Sequence, residues 1–328
     1  MLALSRADLR TFVSMTDAIA LMKTAFAELS AGRAEAPLRT GIHLGETHLD
    51  ALFMPASVPG LDALGVKIVG VAHDNPSRGL PLIHAVVFLL DPSTGEPLAI
   101  LDGTYLTALR TGAVSGAATD LLARPDASVL AVFGAGAQGI TQAAAVCAVR
   151  PVERIVIIDL DEDRLHRYRD ALAIDWPDLI DRLEMTTDAS VVREADIVCT
   201  ATTSRSPVFD DANIRPGTHI NGVGAYTPEM QEIPAETVAR AIVIVDQVEA
   251  ALAEGGDLTI PLASGLIDRD HIRAELGDLV AGTKSGRTDD GQVTFFKSVG
   301  NAIQDVVVAQ RAVTKARAAG AGVEVRLD

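Results

Sequence analysis

The sequence predicts an α/β protein in two parts: a doubly wound parallel sheet, and a second, discontinuous α+β domain built from both ends of the chain. Three observations carry that expectation. Beyond Pro125, short β-branched apolar runs at 129–133, 155–158, 197–200, 219–223 and 242–245 alternate with helical stretches. Strands buried on both faces and joined by crossover helices have this pattern. From 41 to 101 the texture is instead one of short alternating runs broken by Pro and Gly, as antiparallel strands require. The third observation is the return of helical spacing at 301–318, where Ile303, Val306, Val307, Ala309 and Val313 share one side, so that a last helix packs back onto the first domain.

The elements follow in order. Ile19, Met22, Phe26 and Leu29 recur at spacings of three and four after Thr16-Asp17, and Gly32 stops the run, which describes a capped amphipathic helix. Residues 51–54, 65–71 and 84–90 read as strands, and Asp91-Pro92-Ser93-Thr94-Gly95-Glu96 as a hairpin connection. An Ala-rich helix spans 104–122 and ends before Arg124-Pro125-Asp126, and a crossover helix lies within 159–183. Residues 282–291 form a polar loop, expected to be mobile. The expected domains are therefore 1–120 with 303–328, and 121–302.

The chain has 328 residues, enough for two domains of ordinary size. Its formal net charge of −16 repels phosphate backbones and anionic lipid, so nucleic acid is an unfavoured partner. The apolar stretch 80–101 is interrupted by His84, Asp91, Pro92 and Glu96, and charge appears by Arg6, so neither a membrane span nor a signal peptide is expected. Cys147 and Cys199 are too few for a disulfide framework, which fits a reducing, cytoplasmic setting.

The most informative local motif is Gly134-Ala135-Gly136-Ala137-Gln138-Gly139. The bare spacing is weak, but it follows an apolar strand and opens an apolar helix, and Asp159 stands 20 positions after Gly139 at the end of the next strand. Gly134 permits the tight turn, Gly136 lets a pyrophosphate approach the backbone, and Gly139 allows close helix packing. Free N–H groups at the helix start suit phosphate. Asp159 would accept from ribose hydroxyls and repel a 2′-phosphate, favouring NAD(H) over NADP(H). Such a cofactor implies hydride transfer without naming the acceptor.

Lys67 and Arg110 stand in apolar surroundings, Gly65-Val66-Lys67-Ile68-Val69-Gly70 and Leu106-Thr107-Ala108-Leu109-Arg110-Thr111-Gly112. A lone cation there either points to solvent or serves a buried anion, and the residues alone favour solvent. For Arg39 a surface salt bridge is the default. His43, His48, His73 and His84 form no metal-ligand spacing and read as surface or packing residues; no metal is expected. Ser115 and Ser298 lack the partners of a hydrolytic triad.

These segments resemble the ornithine cyclodeaminase/mu-crystallin family over nearly the whole chain. The resemblance is carried by residues 102–112, by the glycine motif, by Ile220-Asn221-Gly222-Val223-Gly224 and by Thr294-Phe295-Phe296-Lys297-Ser298-Val299-Gly300. Residues 228–233 and 249–257 look closer to its ketimine-reductase and amino-acid-dehydrogenase branches. The resemblance implies a Rossmann-type dinucleotide domain, a substrate-binding and dimerisation domain, and a homodimer acting on small α-imino or α-amino acids. It also implies that Arg39, Lys67 and Arg110 grip the substrate carboxylate, with Lys67 able to relay a proton. Thr111, Gly134, Ala135, Gly136, Ala137, Gln138, Asp159, Val223, Gly224 and Ser298 would then attend the cofactor.

Two positions depart from the founding activity. Tyr226 stands where ornithine cyclodeaminase has an Asp, and Leu52 where it has a Glu. Neither side chain replaces a carboxylate handling an ammonium group. Tyr226 either lines the substrate pocket or packs at a loop corner. The expected reaction is hydride transfer between nicotinamide and the α-carbon of a cyclic ketimine such as pyrroline-2-carboxylate, or of alanine. The alternatives are ornithine cyclodeamination and a non-catalytic, mu-crystallin-like binding protein.

Overall fold

The computed structural model describes residues 1–326. It begins with β1 (Leu2–Leu4), α1 (Arg6–Phe12) and α2 (Met15–Ser30). Each helix opens on a capping box, Ser5 with Asp8 and Ser14 with Asp17, which satisfies backbone donors that a helix start leaves unpaired. The cap of α2 is therefore Ser14, and Thr16-Asp17 belongs to its first turn rather than preceding it. An antiparallel meander follows: β2 (Thr40–Leu44), β3 (Leu49–Val58), β4 (Ala63–Ala72), β5 (Ile83–Leu90) and β6 (Pro97–Asp102). In β4 the buried positions are Ala63, Gly65, Lys67, Val69 and Val71, the strict alternation of a half-buried strand. Residues 91–96 form the hairpin connection, Asp91 accepting from the Ser93 and Thr94 amides. The helix α3 (Gly103–Leu122) is buried on every side, with Leu106, Leu109, Ala113, Val114, Ala117 and Ala118 inside.

Eight parallel strands make the second sheet: β7 (Val129–Phe133), β8 (Arg154–Ile158), β9 (Leu183–Thr186), β10 (Ile197–Thr200), β11 (His219–Gly222), β12 (Ile242–Val245), β13 (Ile272–Glu275) and β14 (Thr294–Lys297). Their order is β13-β12-β14-β11-β10-β7-β8-β9. The connections include α4 (Ala137–Cys147), α5 (Glu162–Asp175), α6 (Ala235–Arg240), α7 (Val248–Glu254), α8 (Gly256–Ala263) and α9 (Leu276–Val280). Strand order reverses between β7 and β10, the crevice where open α/β sheets bind ligands. The polar loop 282–291 is fastened through one of its own residues. Arg287 donates to the carbonyls of Leu122, Gly217 and Gln292 and to the Thr294 hydroxyl, so its charge is spent on closing the loop.

The chain ends with α10 (Ala302–Ala319) and β15 (Val323–Glu324). Asn301 and Gln304 form another capping box, and Gly320, at φ +63°, ends the helix in the left-handed conformation favoured by glycine. The first sheet has the order β15-β1-β6-β5-β4-β3-β2, and α10 packs on β3, β4, α1 and α2. Two compact units result, Met1–Arg110 with Asn301–Asp328, and Thr111–Gly300; the division falls inside α3. Among the described residues no helix is long and apolar enough to cross a membrane.

Candidate active site

The first unit places two of its cations deep inside. Lys67 points inward from β4, between register partners Met54 and Val87, and is 1% exposed. Arg110 in α3 is 5% exposed. The solvent reading of both is thus overturned, because alternation along β4 and an all-round buried helix turn both side chains into the interior.

Both converge on one carboxylate that sequence reasoning did not single out, Asp305 of α10, itself fully buried. Lys67 Nζ lies 2.9 Å from Asp305 Oδ2, and Arg110 Nε donates to Oδ1 at 3.0 Å. Arg110 Nη1 also donates to Gln304 Oε1 at 2.8 Å. Arg39 is half-buried, and its charge is felt at Lys67. Two buried cations against one carboxylate leave a positive surplus that a substrate anion would neutralise. The Gln304 Nε2 donor has no hydrogen-bond partner among the described residues; such a group costs about 1–3 kcal/mol until an acceptor arrives.

Burial lowers the Lys67 pKa to about 7, helped by the Arg110 charge and resisted by Asp305. An amine poised there exchanges a proton near neutral pH. Leu52 is half-buried on β3. The histidines expected at the surface are there: His43 and His73 both pair with Asp50, and His48 with Asp74.

In the second unit the glycine motif forms the turn between β7 and α4. Gly134 has φ +104°, and a Cβ there would lie 2.5 Å from the Ala201 carbonyl oxygen. At Gly139 a Cβ would lie 2.1 Å from the Gly134 oxygen, so both positions exclude a side chain. A Cβ on Gly136 would meet nothing within 4 Å: this is the open side of the turn. Gly136 is also the cap of α4 and offers no side-chain acceptor to the helix amides. An open glycine edge beside unpaired N–H donors fits a dinucleotide pyrophosphate.

Asp159 stands half-exposed at the end of β8 and has a second task that the spacing does not reveal. Its Oδ2 accepts from the Ala135 amide at 2.8 Å and its Oδ1 from the Asp161 amide, so it ties the glycine turn to the strand whose end would meet the ribose. The Thr111 carbonyl accepts from Gln142 of α4. Val223 and Gly224 follow β11, and Tyr226 is half-buried in the same loop. Ser298 follows β14; its hydroxyl donates to Asp246 Oδ2 at 2.8 Å, and that oxygen also accepts from the Val299 and Gly300 amides. Asp246 is another buried carboxylate missed in the sequence. Its hydrogen bond commits the single Ser298 proton, and the hydroxyl also accepts from the Gly300 amide at 3.3 Å, which leaves one lone pair toward a ligand.

Comparison with known proteins identifies the family. The model of the ornithine cyclodeaminase/mu-crystallin family matches residues 1–320. A Delta(1)-pyrroline-2-carboxylate reductase of Bacillus cereus is 40% identical over 323 residues, covering 98% of each chain. The structure of the Thermococcus litoralis Delta(1)-pyrroline-2-carboxylate reductase with NADH and L-proline superposes with a TM-score of 0.95 at 41% identity, over 99% of this chain and 100% of that one. An archaeal alanine dehydrogenase dimer with bound NAD superposes with a TM-score of 0.91 at 32% identity, over 100% and 99%. The chain belongs to the ornithine cyclodeaminase/mu-crystallin family.

Proposed function

We propose that this enzyme, an NAD(P)H-dependent oxidoreductase of small imino and amino acids, reduces a five-membered cyclic ketimine, pyrroline-2-carboxylate, to proline with NADH as the preferred donor. The observation that carries the reading is the Lys67–Asp305–Arg110 centre, in which buried cations outnumber their carboxylate. Relatives at about 40% identity that carry the pyrroline-2-carboxylate reductase name support it, and so does the absence of both cyclodeaminase carboxylates at Tyr226 and Leu52.

Arg39, Lys67 and Arg110 hold the substrate carboxylate by charge-assisted hydrogen bonds, which fix the neighbouring C2 in place. NADH, when bound, supplies the hydride that C2 receives. As the C=N π pair moves onto nitrogen, Lys67 gives that nitrogen a proton and is left as the neutral amine, a form its burial favours. Water then reprotonates it. The glycine turn at Gly134, Ala135, Gly136, Ala137 and Gln138 and the Asp159 carboxylate hold the adenosine and pyrophosphate half. Thr111, Val223, Gly224 and Ser298 serve the nicotinamide half, and Tyr226 lines the substrate side.

The enzyme works as a cytoplasmic homodimer in this reading. Edge strand β2 carries Ile42 and Leu44 about half exposed, a face that a second copy would cover, and the archaeal relative was solved as a dimer. Cys147 and Cys199, both free thiols, suit a reducing compartment.

The test is NADH oxidation with pyrroline-2-carboxylate, piperideine-2-carboxylate and pyruvate plus ammonia, beside ornithine with NAD. Fastest turnover is expected with pyrroline-2-carboxylate. No oxidation with either cyclic ketimine overturns the reading, and proline plus ammonia from ornithine would establish cyclodeamination instead.

A further inference from the structure

Beneath the ends of three central strands lies a buried charged cluster that the proposed reaction does not use. Glu232, fully buried, accepts five hydrogen bonds through one carboxylate. Oε1 takes the Thr202 amide at 2.6 Å and the Thr202 hydroxyl at 2.8 Å. Oε2 takes the Thr200 hydroxyl at 2.9 Å and the amides of Gly224 and Ala225 at 2.8 and 3.0 Å. Asp257 holds Glu232 from behind: its Oδ1 accepts the Glu232 and Ile233 amides, and its Oδ2 pairs with Lys297 Nζ at 2.8 Å.

The topology gives this cluster its meaning. Thr200 and Thr202 end and follow β10, Gly224 and Ala225 follow β11, and Lys297 ends β14 directly before Ser298. These adjacent strands are the ones beyond the switch point, where the sheet's C-terminal edge receives ligands. The two loops bonded to Glu232 also touch: a Cβ on Gly224 would lie 2.3 Å from the Thr202 oxygen and 2.4 Å from Glu232 Oε1. The β10 loop in turn abuts the glycine turn, since the Ala201 oxygen is what closes the space beside Gly134. Burial, then Asp257, push the Glu232 carboxyl above its ordinary pKa, while Lys297 and the Thr202 donors oppose them.

We infer that Glu232 is a positioning residue for the nicotinamide half of the cofactor: by taking five donors from two loops, it sets the edge on which Val223 and Gly224 present themselves to the ligand. Three of the donors are backbone amides, which cannot reverse their polarity. A carboxamide of the same shape turns an NH₂ group toward some of these donors and breaks that set of bonds. The inference rests on the proposed cofactor assignment.

The test compares two ligands, NADH and ADP-ribose, which lacks the nicotinamide ring. In Glu232→Gln the NADH Kd, read by fluorescence titration, is expected to rise about tenfold or more, with the ADP-ribose Kd unchanged within about twofold. Thr200→Val, which deletes one hydroxyl donor to Glu232 and keeps all three backbone amides, is expected to raise the NADH Kd about threefold, again sparing ADP-ribose, and it decides the matter if Glu232→Gln does not fold. Equal losses for both ligands, or NADH affinity within twofold of wild type, overturn the inference. Wild-type chain that binds NADH yet reduces no ketimine would defeat the proposed reaction and leave this comparison of ligands fully readable.

Discussion

The two units use carboxylates for opposite purposes. In the first, Asp305 gathers side-chain cations, Lys67 and Arg110, and is outnumbered by them. In the second, Asp159, Asp246 and Glu232 gather backbone amides from the glycine turn, the Ser298 turn and the loops after β10 and β11. A cation centre of the first kind attracts a small anion and tunes a proton. Carboxylates of the second kind fix the shape of a groove for a ligand whose own charge is met elsewhere. Mutations in the first unit should therefore alter chemistry and pH dependence, and mutations in the second should alter cofactor affinity.

The largest effect is expected at Lys67. Lys67→Met should lower kcat for ketimine reduction by about 10³-fold while NADH binding stays near the wild-type value. The pH profile tests the same residue. Reduction needs the protonated amine, so kcat/KM should fall as pH rises through about 7; proline oxidation needs the neutral amine, so its rate should rise through the same value. Parallel limbs in the two directions would remove Lys67 from the proton path.

Asp305→Asn comes next. It leaves two buried cations without their counter-charge, which should cost about 3–5 kcal/mol of stability in urea unfolding. Asp305 is also the group that supports the protonated form of Lys67, so the reduction limb in surviving enzyme should move to lower pH. A limb that stays in place would show that Asp305 only packs. The smallest effect belongs to the second unit: Asp159→Ser should weaken NADH binding about tenfold and narrow the preference over NADPH by a similar factor, measured as a ratio of kcat/KM values. An unchanged preference would mean that Asp159 serves the Ala135 turn alone.

Much of the architecture was legible because it is written in periodicity. The runs at 129–133, 197–200 and 242–245 coincide with β7, β10 and β12, since a strand buried on both faces needs an unbroken apolar run. The cation centre was less legible. Lys67 occupies an inward position of β4, in step with Ala63, Gly65, Val69 and Val71, and that alternation was the signal that it faces the core. Asp305 carried a similar signal, an acid set among Ile303, Val306, Val307 and Val308 in a helix. Asp246 and Glu232 left no local trace, because their partners, from Thr200 to Gly300, are brought to them only by the parallel sheet. The role of Arg287 was hidden for the same reason: it reads as a surface charge until Leu122 and Gly217 supply its acceptors.

Whether the buried cations recognise a carboxylate is read from kinetics on two imines. Wild-type enzyme and Arg110→Met would each be assayed with pyrroline-2-carboxylate and with 1-pyrroline, the same ring without the acid group. Wild type is expected to prefer the carboxylate by about 100-fold or more in kcat/KM, and Arg110→Met to lose most of that preference by slowing only the acid. Equal turnover of both imines by wild type, or equal slowing of both in the variant, would contradict carboxylate recognition by these cations.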